Sequence, residues 1–83
     1  MRRAVAIRGE EIRLGQLLKL AGVVDSGSEV KPLLAEHTTR VNGELETRRG
    51  RRLRNGDVVR VGGHELEVLT ASEPGGQARE RLS

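Results

Sequence analysis

The sequence predicts an α+β fold in which two short helices pack on a small, mostly antiparallel sheet. Three features predict it: an apolar strand near the start, two segments with helically spaced aliphatic residues, and a later series of short strands separated by glycine-containing turns. When helices and strands are segregated along a chain in this way, the helices usually cover one side of an antiparallel sheet.

The first strand is predicted at 4–7, which is a short apolar run, and the chain then turns at Gly9-Glu10-Glu11. The first helix follows, because its apolar residues are spaced i, i+3, i+4 and i+7, as on one face of a helix. These residues are Leu14, Leu17, Leu18 and Ala21. Gly22 suits the end of this helix, because glycine readily adopts the positive φ that follows many helices.

The second helix is predicted to begin at Ser26, because Glu29 lies three residues later and completes a Ser-x-x-Glu capping box. Pro32 conflicts with this start. Past the first turn, a proline removes a backbone hydrogen bond and clashes with the preceding turn. The helix therefore either begins later, near Ser28, or is kinked. Its apolar face consists of Val30, Leu33 and Leu34.

The rest of the domain is predicted to be strands joined by tight turns. Asn42-Gly43 favours a two-residue hairpin turn with positive φ, and Asn55-Gly56-Asp57 and Gly62-Gly63 supply two further turns. The predicted strands lie at 39–41, 44–46, 58–61 and 64–69.

Length and composition predict one small domain at 1–69, followed by a disordered polar tail at 70–83. The 83 residues include no cysteine and no aromatic residue, so disulfides and thiolate–metal sites are excluded and the core must be aliphatic. His37 and His64 are isolated in the sequence, so we expect no metal site and no cofactor. No apolar run approaches the length of a membrane span. We expect a monomeric cytoplasmic protein that does not bind membranes.

Positive charge is concentrated in one part of the chain. From Arg40 to Arg60 there are seven basic and three acidic residues, whereas the rest of the chain has eight basic and nine acidic residues. Five of the seven residues in 48–54 are arginine. Clustered guanidinium groups on a folded scaffold are typical of phosphate binding. Since the chain has no aromatic ring on which bases could stack, recognition of backbone and shape is favoured.

Four short motifs occur in an order and spacing that resemble the S-four RNA-binding domain, whose core is also called the αL RNA-binding motif. They are Arg13-Leu14, Ser26-x-Ser28-Glu29, Val41-Asn42-Gly43 and Gly56-Asp57-Val58-Val59, and the resemblance covers 12–61. The small stand-alone bacterial members are the most similar, because their Glu-Thr-Arg-Arg-Gly loop stands here at 46–50. The resemblance implies a non-catalytic module that binds structured RNA, with ribosomal RNA as the expected target.

The resemblance implies that two helices and the following hairpin form one RNA-facing surface. Carried over by position, and extended along the arginine-rich block, the expected RNA-binding residues are Arg13, Ser26, Lys31, Arg40, Asn42, Arg48, Arg49, Arg51, Arg52 and Arg54. Three positions depart from the family pattern. Gly15 replaces the usual Asp after Arg-Leu, Gly27 replaces a frequent basic residue, and His37 stands where glycine is usual. The arginine-rich block, which is predicted to be a loop, is therefore expected to contribute more of the binding than the face of the two helices.

Two other classes of function fit parts of the sequence. A β-grasp sulfur carrier has a similar order of strands, helices and turns, but it ends in Gly-Gly, whereas seven residues follow Gly75-Gly76 here. An adaptor could use the same arginines to bind an acidic protein. An enzyme is not expected, because the chain has no cysteine, no serine in a nucleophile motif and no pattern of paired carboxylates.

Overall fold

A computed structural model describes residues 2–70 of the chain. Seven strands and two α-helices follow one another, and a single 3-10 turn at Gly27–Glu29 precedes the second helix. In order they are β1 (Arg2–Ile7), β2 (Glu11–Arg13), α1 (Leu14–Leu20), α2 (Val30–Ala35), β3 (Arg40–Val41), β4 (Glu44–Leu45), β5 (Arg52–Arg54), β6 (Val58–Val61) and β7 (His64–Thr70). The predicted tail starts at Thr70, which is the last residue of β7, and its remainder, 71–83, lies outside the described residues.

The strands form two sheets. The larger has five strands in the order β1-β7-β6-β3-β4, and the smaller pairs β2 with β5. Only β1 and β7 pair in parallel among the strands described; the other pairs are antiparallel. The predicted α+β class, with two short helices and a mostly antiparallel sheet, is confirmed.

An aliphatic core lies between the two helices and one face of the larger sheet. The helices contribute Leu14, Leu17, Leu18, Val30 and Leu34, the sheet contributes Val5, Ile7, Val41, Val59, Val61, Leu66 and Val68, and β5 adds Leu53. Strand residues alternate between the two faces of a sheet. The exposed neighbours of the buried valines therefore form an outer sheet face that points away from the helices.

Gly22 follows the end of helix α1 and stops it, as the sequence predicts. Gly22 has a φ of +77°, and its N–H donates to the carbonyl of Lys19 at 3.1 Å. The N–H of Val23 donates to the carbonyl of Leu18 at 3.0 Å. These two bonds are the Schellman motif, which satisfies carbonyls at the end of a helix.

The start of α2 resolves the conflict over Pro32. The helix begins at Val30, so Pro32 lies in its first turn, where an N–H would have no intrahelical partner. The predicted capping box is wrong. The Ser26 side chain makes no cap hydrogen bond and instead contacts the Ser28 hydroxyl at 2.9 Å, while Glu29 accepts from the N–H of Asp25.

The hairpin at Asn42-Gly43 is confirmed, with φ values of +52° and +87° at the two turn residues. The pairing of β2 with β5 was not predicted. Glu11 belongs to β2 rather than to a turn, and the last part of the arginine-rich block is a strand rather than a loop. Leu53 explains the second difference, because it is fully buried and faces the core between two exposed arginines.

Candidate nucleic-acid interface

The arginine segment, residues 47–54, lies across the start of α1. The N–H groups of Leu14 and Gly15 donate to the carbonyls of Arg51 and Arg49 at 2.8 and 2.9 Å. The first turn of a helix leaves such donors without intrahelical partners, so the segment satisfies them. A Cβ at Gly15 would lie 3.5 Å from the Arg49 carbonyl oxygen, which is van der Waals contact, so the segment packs closely on this part of α1. Backbone contacts thus fix the segment to the helix.

Glu46 immediately precedes this segment, and its carboxylate organises it. It accepts five hydrogen bonds: from the N–H groups of Thr47 and Arg48, twice from the Arg48 guanidinium, and once from the Arg51 guanidinium. The distances run from 2.9 to 3.1 Å. The Glu46 side chain is only 6% exposed, whereas Arg48 is 74% exposed. A buried carboxylate therefore fixes the positions of two of the five clustered arginines, Arg48 and Arg51, through hydrogen bonds.

The charge of Glu46 is strongly stabilised in this setting. The hydrogen bond from the Arg48 side chain is the main cause that lowers the pKa of Glu46 to about 2, and it outweighs burial, which acts in the opposite direction. The same hydrogen bond raises the pKa of Arg48 above its ordinary value. Both groups are therefore ionised at neutral pH. Their mutual neutralisation leaves the other arginines of the segment as its net positive charge.

A basic cleft opens beside the segment, between the start of α1, the 3-10 turn and the start of α2. Its volume is about 340 Å³. Three cationic side chains from three places in the chain line it: Arg13 at the end of β2, Lys19 on α1 and Arg49 in the arginine segment. The ion pairs formed within residues 2–70 include none of these three. The other residues of the lining are Gly15, Gln16, Gly27, Val30 and Gly50.

The exposed face of β5 continues this positive surface. Arg52 lies opposite Arg13 in the β2–β5 pair, and Arg54 lies opposite Glu11. Glu11 is 3.8 Å from Arg52 and 3.9 Å from Arg54, which is too long for a hydrogen bond. Both arginine side chains are mostly exposed. A single carboxylate thus lies near two guanidinium groups, and Arg13 adds a third cation to the β2–β5 pair, so the surface stays positive.

Asn42 has a role in the fold itself. Its side-chain amide donates to Asp57 at 3.1 Å, and its amide oxygen accepts from the N–H of Val58 at 2.9 Å. These bonds join the hairpin turn to the turn before β6. They account for the presence of Asn in one motif and Asp in another.

The remaining expected site residues lie in different places. Ser26 is exposed and precedes Gly27, which lines the basic cleft, and Lys31 is exposed on α2. Arg40 is on β3 opposite Arg60, on the outer sheet face, so it lies away from the cleft. The structure thus brings Arg13 and Arg49 together and separates Arg40 from them.

Sequence reasoning missed three residues of this surface: Lys19, Gln16 and Glu46. Gln16 and Lys19 follow Arg13 at intervals of three, which places them along one side of α1, so helical spacing could have identified them. Glu46 is the acidic residue directly before an arginine-rich run. Its burial depends on the fold and left no sign in the sequence.

Within residues 2–70 there is no cluster of three or more potential metal ligands. No helix in that part of the chain is long and apolar enough to cross a membrane.

Comparison with known proteins places this geometry in a family. The family model described as the S4 domain matches residues 5–69. A relative from Bacillus subtilis strain 168, named "Probable ribosome maturation protein RlbA", is 49% identical over 63 residues, which cover 76% of this chain and 89% of the relative. A relative from Escherichia coli K12, named "Putative RNA-binding protein YbcJ", is 36% identical over 58 residues, or 70% of this chain and 83% of the relative. The order of motifs, the fold and these matches agree, and the chain belongs to the S4 domain family.

Proposed function

We propose that this protein is a non-catalytic RNA-binding module that clamps structured RNA, with ribosomal RNA as its expected target. Membership of the S4 domain family supports RNA binding, and the names of the two relatives refer to RNA binding and to ribosome maturation. We expect it to act as a monomer in the cytoplasm, where ribosomes are assembled.

The observation that carries the proposal is the convergence of Arg13, Lys19 and Arg49 on one cleft. Three cations that face one cavity without a carboxylate partner in residues 2–70 repel one another. A phosphate group in the cleft would relieve this repulsion and would release counterions from the RNA. Arginine adds bidentate geometry to the contact, which lysine cannot provide.

The mode of recognition follows from the side chains available. Since the chain has no aromatic residue, bases cannot stack on rings, and contacts to phosphates and 2′-hydroxyls are left as the main interactions. Arg52 and Arg54 extend the positive surface from the cleft along β5. An RNA backbone that follows this surface would meet several cations in sequence. Such binding favours the shape of a folded RNA over a particular base sequence.

The five clustered arginines have two kinds of role in this proposal. Arg48 and Arg51 hold Glu46 and thereby fix the path of the segment. Arg49, Arg52 and Arg54 make the phosphate contacts. Glu46 does not contact the phosphate-binding arginines itself. It positions them by fixing the backbone of the segment in which they lie.

The test compares two double variants that remove the same charge. Arg13→Gln/Arg49→Gln changes the basic cleft, whereas Arg3→Gln/Arg8→Gln changes two exposed arginines outside it. Binding to a fluorescein-labelled ribosomal RNA fragment is measured by anisotropy, and the fold is checked by circular dichroism. We expect the cleft variant to bind at least about tenfold more weakly and the control to change by less than about threefold, because counterion release is local to the contacted phosphates. Equal losses in both variants would contradict a specific cleft.

The same assay addresses the two other functions considered from the sequence. An adaptor for acidic proteins should bind polyglutamate as tightly as RNA, and this result would contradict the proposal. The sulfur-carrier alternative depends on Gly75-Gly76, which lies outside the described residues. It predicts covalent activation of the chain and no dependence on the cleft arginines.

A further inference from the structure

The outer sheet face carries an unusual arrangement of like charges. The register of β3 and β6 places Arg40 directly opposite Arg60. Like charges that face each other across two strands destabilise a sheet. The ion pairs formed within residues 2–70 include neither of these arginines. The Arg40 guanidinium instead donates to the Gly43 carbonyl at 3.2 Å. The fold therefore places two cationic side chains opposite each other on neighbouring strands of an exposed face.

The nearest carboxylate in the same row is already engaged. Glu65 lies opposite Arg60 on one side and opposite Arg2 on the other. It accepts two hydrogen bonds from the Arg2 guanidinium, at 2.9 and 3.1 Å. Arg2 also lies 3.9 Å from Glu67. The hydrogen bonds from Arg2 are the main cause that lowers the pKa of Glu65, and the charge of Arg60 adds to the effect. The row therefore holds three arginines and one glutamate, and its net charge stays positive at the end where Arg40 and Arg60 lie.

A depression in the surface accompanies these two arginines. It has a volume of about 410 Å³ and lies where the chain enters β3, beside the turn between β6 and β7. Thr38 and His64 add hydrogen-bonding side chains to its lining. The turn itself consists of Gly62 and Gly63, both with positive φ, so no side chain covers its backbone. Glu65, whose carboxylate is bound by Arg2, also lines the depression. The site thus combines two cations, one engaged carboxylate, polar groups and an open concave shape.

We propose that Arg40 and Arg60 form a second phosphate-binding site, which contacts RNA on the outer sheet face while the basic cleft contacts another segment of the same RNA. This inference rests on the proposed function, because it takes RNA as the source of the phosphate. The buried neighbours of the two arginines, Val41 and Val59, face the helices, so the second site and the cleft lie on different sides of the domain. A phosphate between two guanidiniums would replace their repulsion with charge-assisted hydrogen bonds. The domain would then join two RNA segments.

The decisive experiment uses Arg40→Gln/Arg60→Gln beside the cleft variant Arg13→Gln/Arg49→Gln. Each is titrated with a labelled three-way-junction RNA and with a labelled single stem-loop, at several salt concentrations. For the outer-face variant we expect at least about fivefold weaker binding to the junction, little change for the stem-loop, and a salt slope smaller in magnitude by about one, since about one phosphate contact is lost. Arg40→Lys/Arg60→Lys should recover part of the affinity, because it keeps the charges without the bidentate geometry.

Failure of this inference can be distinguished from failure of the proposed function. If the outer-face variant binds the junction like the wild type while the cleft variant does not, the second site is overturned and RNA binding through the cleft stands. If neither variant changes binding, both proposals fall. Folding of the outer-face variant is checked by its melting temperature at low salt. We expect this temperature to equal or exceed that of the wild type, because the substitutions remove the repulsion between the two arginines.

A separate measurement distinguishes RNA from free phosphate as the source of the anion. Wild type and outer-face variant are melted in sodium phosphate and in sodium chloride of equal ionic strength. We expect phosphate to raise the melting temperature only slightly more than chloride does, because a single ion lacks the second contact that RNA makes in the cleft. Strong stabilisation of the wild type alone by free phosphate, with no loss of RNA affinity in the variant, would overturn the inference and indicate a site for the inorganic ion.

Discussion

The carboxylate of Glu46 is bound in a bidentate manner by the guanidinium of Arg48, through hydrogen bonds of 3.0 and 3.1 Å. The two residues are separated by one position, so their side chains lie on the same side of an extended backbone and can meet. The N–H of Arg51 then donates to the Arg48 carbonyl at 3.2 Å and closes a turn at 48–51, which brings Arg51 to the same carboxylate. A local ion pair therefore determines the shape of the arginine segment, whose side chains are the basis of the proposed function.

Glu46→Gln should destabilise the domain by about 1–3 kcal/mol, because a buried amide would present donors to two guanidinium groups that need an acceptor. The control is Glu44→Gln, which removes the same charge from an exposed residue two positions earlier. Urea unfolding followed by circular dichroism measures both. A loss in Glu46→Gln no greater than in the control would show that the carboxylate does not organise the segment.

The stability that Glu46 contributes should depend on pH in a defined window. Its pKa is lowered from 4.5 to about 2 in the folded protein, so the unfolded chain binds more protons between these values. Stability from this group is therefore fully present above about pH 4.5 and is lost as the pH falls toward 2. The difference in unfolding free energy between the wild type and Glu46→Gln should be constant near neutrality and narrow below pH 4.5. If this difference in unfolding free energy instead grew below pH 4.5, the pKa of Glu46 would not be lowered by folding.

Two pairs of arginines in the same segment should respond differently to replacement. Arg49→Gln/Arg52→Gln should weaken RNA binding at least about tenfold with little change in stability, because neither side chain bonds Glu46. Arg48→Gln/Arg51→Gln should lower the melting temperature clearly, because it leaves a buried carboxylate without its charged partners. Anisotropy titration and thermal melting are measured on both variants. The same stability in both would mean that Glu46 does not need its arginine partners.

The parts of the fold that sequence predicted well are those controlled by local rules. The leucine spacing of α1, the glycine that ends it and the Asn42-Gly43 hairpin each depend on neighbours in the chain, and each is confirmed. The pairing of β2 with β5 joins strands about forty residues apart in the sequence, and three-residue strands carry little periodicity. Charge also concealed β5, because a run of arginines resembles a solvated loop.

The candidate site could be predicted only in part for a related reason. The sequence indicated which residues are basic, but not which of them meet. Arg13 and Arg49 converge because the arginine segment docks on α1 through backbone bonds, and no sequence pattern encodes those. The sequence does not distinguish Glu46 from the exposed glutamates, whereas its burial in the fold makes it the centre of the segment. The domain boundary at 69 and the roles of the individual site residues stay predictions.

His37 stands where the S4 pattern usually has glycine, and its backbone conformation leads to a further prediction. It follows α2 with a φ of +59°, a conformation that glycine adopts without strain. Its imidazole lies 2.7 Å from the Ala35 carbonyl, a contact that offsets part of the strain. His37→Gly should therefore be as stable as the wild type or up to about 1 kcal/mol more stable, whereas His37→Val should lose about 2 kcal/mol, because a β-branched residue tolerates this conformation poorly. Chemical denaturation of the two variants tests the order, and a glycine variant clearly less stable than the wild type would show that the imidazole contact dominates.

Leu53 offers the clearest test of whether the arginine-rich block is a strand with a buried side or a solvated loop. Its side chain is fully buried, and it lies opposite Ile12 in the β2–β5 pair. Leu53→Ala should destabilise the domain by about 2–4 kcal/mol, since it removes buried methyl groups and leaves a cavity. Leu20→Ala is the matched control, because Leu20 is 56% exposed, and it should cost less than about 1 kcal/mol. Urea unfolding gives the loss of unfolding free energy for each variant, provided that the m-value stays that of the wild type. If the two substitutions cost the same small amount, then Leu53 is not a core residue, and β5 would be a solvated loop as the charge of its neighbours suggests.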